Sequence, residues 1–173
     1  MVLRRRFKRH PIRMVEVGVF RGETSAVLLA RFPSLDLTLI DPWDAGPDYD
    51  DNRITAAMMK EAKVEAIRAV ASYSDRCRVL ACCSIDAAWL FDDATQHIVF
   101  IDGDHSEAAV RSDISLWRQK VMPGGVLCGH DYRPWNVGLR MAVDELVPER
   151  EVWSGGVWVT GVTPTVDRPT PPS

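Results

Sequence analysis

The chain has 173 residues, 46% of them hydrophobic, and a net charge of −3. That suits one globular domain with enough core to fold unaided. No apolar run reaches the ~18–20 residues that span a bilayer, which argues against a membrane protein. The basic start lacks the apolar stretch of a signal peptide, so the expected location is cytoplasmic. Residues 1–13 carry six Lys/Arg and no acid, and the other 15 basic residues face 24 acids, a balance of −9. An acidic body argues against broad nucleic-acid binding, while the arm keeps a local RNA contact open. Cys77, Cys82, Cys83 and Cys128 form no CxxC pair and read as free thiols.

Short apolar runs alternate with helical patterns, the signature of an α/β fold with a mostly parallel sheet. Residues 12–17 read as the first strand and 23–31 as a helix. Residues 35–40 make the second strand, which ends at Asp41. An acidic loop with Gly and Pro, 42–51, leads into a helix over about 54–72, with Met59, Ala62, Ala66 and Val70 on one face. Residues 77–81 form the third strand, 85–91 a short helix, and 97–101 the fourth strand, apolar enough for burial on both faces. A helix over 106–120 places Val110, Ile114 and Trp117 at helical spacing. Pro123-Gly124-Gly125 reads as a turn before a fifth strand, 126–128, and Leu139, Val143 and Leu146 mark a last helix. Two strands, 151–153 and 157–160, flank Gly155-Gly156, a hairpin signal. The domain therefore spans 12–162, after a basic arm (1–11) and before a Pro-rich tail (163–173) expected to be disordered.

Gly18 and Gly22 lie between the first strand and its helix, where a nucleotide-like ligand docks in an open α/β sheet. The spacing is Gly-x-x-x-Gly, unlike the dinucleotide and triphosphate loops. The helix N-terminus beyond it offers free N–H groups to an anionic end. Asp41, 23 residues after Gly18, is placed to accept both ribose hydroxyl hydrogens. Asp102-Gly103-Asp104-His105 follows the fourth strand and Gly129-His130-Asp131-Tyr132 the fifth, so both meet at the same sheet edge. Their hard carboxylates, Asp102 and Asp131, suit Mg²⁺ or a similar cation, with His105 and His130 in the same cleft. Blander readings stand beside these. Asp104 serves as a helix cap, His130 is a hydrogen-bonded structural histidine, or Asp102 contacts the ligand's amino group. His97 opens a strand away from that edge and reads as structural. Trp43 either stacks on adenine or packs the loop, and Cys83 and Ser84 are placed to contact adenine through backbone groups. Tyr49, Tyr132, Arg133 and Trp135 border the cleft as acceptor contacts or packing lids.

Together, residues 15–25, Leu39-Ile40-Asp41-Pro42-Trp43, Val99–Ser106, Met122–Val126, Gly129–Tyr132 and Ala142–Glu145 resemble the class I S-adenosylmethionine-dependent methyltransferases. More narrowly they resemble the macrocin-type and other antibiotic-sugar O-methyltransferases, over roughly residues 12–160. The resemblance implies a Rossmann-like open twisted sheet of seven strands, one antiparallel, with helices on both faces. It implies S-adenosyl-L-methionine held by Glu16, Gly18, Val19, Phe20, Gly22, Ser25, Asp41, Pro42, Trp43, Cys83, Ser84 and Asp102. It further implies that Asp102 and Asp131 bind a divalent metal, with His105 as the base. His130 stands where sugar-modifying members have a glutamate ligand, giving a metal set of Asp102, His130 and Asp131. The expected reaction is metal-assisted O-methylation of a small hydroxylated acceptor, a sugar or natural product. Two alternatives stay open: an RNA-modifying methyltransferase tethered by residues 1–13, and a non-catalytic S-adenosylmethionine-binding module. The first lacks a Lys-Asp-Lys-Glu tetrad, since Lys8, Lys60, Lys63 and Lys120 end no central strand. A homo-oligomer is also open.

Overall fold

The computed structural model describes residues 11–44 and 54–161. The basic arm up to residue 10, most of the acidic loop with Tyr49, and the Pro-rich tail lie outside the described residues. Seven strands form one sheet: β1 (Ile12–Val17), β2 (Leu35–Ile40), β3 (Cys77–Leu80), β4 (Gln96–Ile101), β5 (Val121–Gly129), β6 (Glu151–Trp153) and β7 (Val157–Gly161). Their spatial order is β3-β2-β1-β4-β5-β7-β6. The strands from β3 to β5 are parallel, and β7 runs antiparallel to both its neighbours.

Alternation along the strands sorts side chains onto two faces. Val15, Val17, Val99, Ile101 and Leu127 pack with Trp117 and Trp158 on one side. Ile12, Met14, Leu35, Leu37 and Leu39 pack on the other. Helices α1 (Glu23–Arg31) and α2 (Ala56–Val70) cover the second face through Leu29, Met59, Ala62, Ala66 and Val70. Helices α3 (Ser84–Ala88), α4 (Glu107–Lys120) and α5 (Val137–Leu146) cover the first. Thr55 Oγ1 accepts from the Met58 N–H at 3.2 Å and so starts α2.

Three expected boundaries move. Strand β5 begins at Val121, because Pro123-Gly124-Gly125 forms a register irregularity against β4 and not a free turn. Helix α3 stops at Ala88; Trp89 is 75% exposed and Leu90 60%, so no apolar face carries it to residue 91. Helix α2 ends at Val70 and tightens into one 3₁₀ turn, Ala71–Tyr73. No helix among the described residues is long and apolar enough to cross a membrane. All four cysteines are free, and burial pushes Cys77 up to about 11 and Cys128 to about 12, which keeps both as unreactive thiols.

Candidate functional site

Because β1, β2, β4 and β5 are parallel, their carboxyl ends meet at one edge, where the two glycines shape the β1–α1 loop. Gly18 has φ +83°, Gly22 +75°, and Phe20 between them +49°. The loop is anchored from below: the Gly18 N–H donates to the Ile40 carbonyl at 2.9 Å, and the Asp102 N–H to the Val17 carbonyl at 2.7 Å. A cavity of about 640 Å³ opens above it, of a size suited to a cofactor. Among the described residues its lining carries seven carboxylates and a single guanidinium, that of Arg21, which is paired with Glu65. Such a lining disfavours a phosphate-rich ligand and favours a cationic one.

Asp41 also holds the loop itself. The N–H groups of Val19 and Phe20 both donate to its Oδ2 at 2.9 Å, and the Trp43 N–H donates to Oδ1 at 2.7 Å. An ionised carboxylate has about four acceptor sites, so three are already taken and one remains on Oδ1. Asp41 thus clamps the glycine loop to the end of β2 while still lining the cavity, with an acceptor site on Oδ1 left over. Trp43 lies beside the cavity but not in its lining. It is 5% exposed, its Nε1–H donates to the Phe20 carbonyl at 2.8 Å, and it packs in the core with Met59 and Ala62. Pro42, Cys83 and Ser84 do line the cavity.

Glu16 is 2% exposed on β1 and lines the cavity floor, where it accepts the Ser25 hydroxyl hydrogen at 2.6 Å. Burial pushes its carboxyl up to about 7; the Ser25 hydrogen bond opposes this, and nearby Asp102 and Asp41 add to it. The sign for stability follows from the raised folded value. The contribution is fully present below the ordinary value near 4.5 and is lost as pH rises through about 7. By pH 8 the loss amounts to about 3 kcal/mol. Glu16→Gln, which keeps an acceptor for Ser25, is expected to match wild type in thermal unfolding at pH 4.5 and to melt roughly 5–10 °C higher at pH 8. A difference independent of pH would contradict this. A cationic ligand over Glu16 would favour the ionised form and offset the same loss.

The second constellation assembles at the ends of β4 and β5. His105 Nε2 lies 3.1 Å from Asp131 Oδ2, and His130 Nδ1 lies 3.4 Å from Asp131 Oδ1 and 3.7 Å from Asp102 Oδ1. One ligand atom each from Asp102, His105 and Asp131 falls within 4.8 Å of the others, so His105 joins the two carboxylates as a candidate donor beside His130. Burial raises the Asp102 carboxyl; His130 and His105 oppose the shift and Asp131 adds to it. Asp131 holds a left-handed backbone, φ +55°, which Asp tolerates better than most residues. Its carbonyl accepts from the Arg133 N–H at 2.7 Å and from the Asn136 side chain at 3.0 Å.

Asp104 is not the cap of α4. Ser106 is the cap, its Oγ accepting from the Ala109 N–H at 3.3 Å, while Asp104 Oδ1 accepts from the Ser106 N–H at 2.8 Å one step earlier. Tyr132 is committed to packing. Its hydroxyl donates to Asp144 Oδ1 at 2.6 Å, and Arg140 and Arg150 lie against its ring. Arg133 donates to the Gly155 carbonyl, and Trp135 stays 73% exposed. His97 accepts the Arg13 N–H at its Nδ1, far from the cavity edge.

Several lining residues escaped sequence reasoning, among them Ile85, Ala109, Ser112 and Asp113. Asp113 on α4 is 5% exposed and lines the cavity. The signal for it was an acid inside the apolar stripe of Val110, Ile114 and Trp117.

A family model described as "Methyltransferase domain" matches residues 15–132, more than half of the chain. No curated protein matches the sequence. Among solved structures, the chain is similar to a protein from Corynebacterium glutamicum (16% identity, TM-score 0.62, 90% of this chain and 74% of that one). It is also similar to spermidine synthase from Thermotoga maritima (13% identity, TM-score 0.56, 92% and 55%). A third is geranyl diphosphate C-methyltransferase from Streptomyces coelicolor A3(2), solved with Mg²⁺, geranyl diphosphate and S-adenosyl-L-homocysteine (13% identity, TM-score 0.51, 79% and 46%). At these identities the likeness shows the shared Rossmann-like fold.

Proposed function

From the premise that this chain belongs to the methyltransferase-domain family and is an S-adenosylmethionine-dependent methyltransferase, we propose that it methylates the hydroxyl of a small acceptor, a sugar or another natural product. The observation that carries this reading is the grouping of Asp102, His105 and Asp131 beside the cofactor loop. The acidic cavity supports the cofactor half, since the ligand carries a sulfonium and an ammonium.

Methyl transfer is an in-line displacement. The acceptor oxygen bonds the methyl carbon, the carbon–sulfur bond breaks, and its electron pair returns to sulfur. Most of the rate comes from alignment, with the loop and the β4 end holding the two partners. The acceptor proton must leave, and His105 is the base assigned to take it in this reading. Its Nε2 is engaged by Asp131 Oδ2 at 3.1 Å, which orients the ring. The two carboxylates with an adjacent imidazole also fit a divalent cation such as Mg²⁺, held by Asp102 and Asp131 with His130 or His105 beside them; when bound it would lower the pKa of the acceptor hydroxyl.

The test is label transfer from methyl-labelled S-adenosylmethionine to a library of hydroxylated acceptors, with and without EDTA. Label on oxygen, lost by at least about tenfold in EDTA and restored by Mg²⁺, is the expected result. Full activity in EDTA would remove the cation from the mechanism. Transfer to RNA alone, lost on removing residues 1–10, would replace the small acceptor. Binding without transfer to any acceptor would make the chain a cofactor-binding module.

A further inference from the structure

The cofactor cavity is acidic, yet the chain that follows Asp131 brings three arginines, Arg133, Arg140 and Arg150, around Tyr132 and the β6–β7 hairpin. Two of them are spent inside the fold. Arg133 donates to the Gly155 carbonyl, and Arg150 donates to Asp144, to the Tyr132 hydroxyl at 2.8 Å and to the Val147 carbonyl at 3.3 Å. On α4, Arg111 is paired with Glu107 and Glu145, and Arg118 with Glu149. Arg140 is different. Its guanidinium carbon lies 5.4 Å from the centroid of the Tyr132 ring, and no side-chain or carbonyl oxygen among the described residues accepts from it. Its Nε is buried without a hydrogen-bond partner; Arg150 Nε shares that condition, but there the terminal amino groups are paired. A guanidinium only donates, and a buried donor left unmatched is costly, so Arg140 calls for an acceptor from outside the fold.

Its place in the fold says which acceptor that is. The start of α5 is tied to the second constellation: the Asn136 side chain donates to the Asp131 carbonyl at 3.0 Å, and the Arg140 N–H donates to the Asn136 carbonyl at 3.0 Å. A Cβ on Gly138 would stand 3.2 Å from the Glu107 nitrogen, two residues beyond His105. The ring that Arg140 covers belongs to Tyr132, next in the chain to Asp131, and Arg140 is not part of the cofactor cavity lining. We propose, resting on the hydroxyl-methylation reading above, that Arg140 binds an oxyanion of the acceptor, a carboxylate or a phosphate group, and so selects anionic hydroxylated acceptors over neutral ones. The planar guanidinium matches either group bidentately, and the Tyr132 ring supports it on one side. The acidic cavity repels the same anion, which keeps the charged end of the acceptor away from the cofactor.

The Arg140 Nε–H resonance reports on this in side-chain nitrogen–proton NMR of the whole chain saturated with S-adenosylhomocysteine, and Arg140→Lys assigns it by its loss. At least one of inorganic phosphate and glucuronate is expected to shift it saturably; glucose, and sodium chloride at matched ionic strength, are not. In Arg140→Gln, with a melting curve to check folding, affinity for the bound anion should fall at least about tenfold. A response to phosphate alone assigns phosphorylated acceptors, and one to glucuronate alone assigns carboxylic acids. No saturable shift, or one matched by sodium chloride, would make Arg140 a solvated cation and overturn the inference. Label transfer to glucose, glucuronate and glucose 6-phosphate then separates it from the reading beneath it. Equal kcat/KM for neutral and anionic acceptors sinks the role of Arg140 alone. Anion binding at Arg140 with no oxygen labelled on any hydroxylated acceptor sinks the hydroxyl-methylation reading and leaves the anion site.

Discussion

Asp131→Asn is expected to lower kcat by about 10³ while leaving the affinity for S-adenosylhomocysteine within about threefold. The asymmetry comes from where Asp131 stands. Its carboxylate touches His105 and His130, at 3.1 and 3.4 Å, yet it is not part of the cofactor cavity lining. Losing the charge removes both the group that orients His105 and one of two carboxylates suited to a cation. Asparagine is the informative replacement because the backbone there is left-handed. Asn tolerates that conformation, whereas Asp131→Ala adds roughly 1 kcal/mol of backbone cost to the chemical effect. The readout is a kcat measurement beside calorimetric binding and a melting curve. A variant that loses cofactor affinity and kcat together would place Asp131 in the cofactor site instead.

The layout of the fold was legible because its signals are periodic. Alternation in residues 12–17 and 35–40 and the 3.6-residue stripes of α2 and α4 each placed an element, and the parallel order brought three loops to one edge. The grouping of Asp102, His105, His130 and Asp131 was legible for the same reason, since all four follow strand ends. What stayed hidden depends on which partner a side chain finds. Nothing in the spacing of Gly18 and Asp41 says that loop N–H groups take three of the carboxylate's acceptor sites. Trp43 likewise reads as a loop aromatic until its indole is seen to close on the Phe20 carbonyl. The break at Pro123-Gly124-Gly125 reads as a turn because local turn chemistry does not report that β4 keeps pairing past it. Asp113 was visible only as a misfit in an apolar stripe, a sign of burial that does not name its partner.

Gly18→Ala is expected to destabilise the domain by roughly 3–5 kcal/mol, a fall of about 10 °C or more in Tm, and to abolish measurable cofactor binding. A Cβ at this position would lie 2.2 Å from the Asp102 carbonyl oxygen, 2.4 Å from its carbon and 2.5 Å from Gly103 Cα. All three are backbone atoms of the strand end that carries the second constellation, so no rotamer relieves the clash. They are also pinned, since the Asp102 N–H is bonded back to the Val17 carbonyl. Relief therefore requires β1 and β4 to part at the edge where both halves of the site meet. Gly22→Ala separates this wedge from backbone strain, because both glycines have positive φ, +83° and +75°. At Gly22 the new Cβ would meet Ala66 Cα at 2.9 Å and Cβ at 3.2 Å, a milder clash than the 2.2–2.5 Å contacts at Gly18. Both variants thus share the roughly 1 kcal/mol backbone cost, and only Gly18→Ala carries the full steric one. Equal losses in the two would mean that the left-handed backbone, and not the contact between the cofactor loop and Asp102, is what the glycine serves.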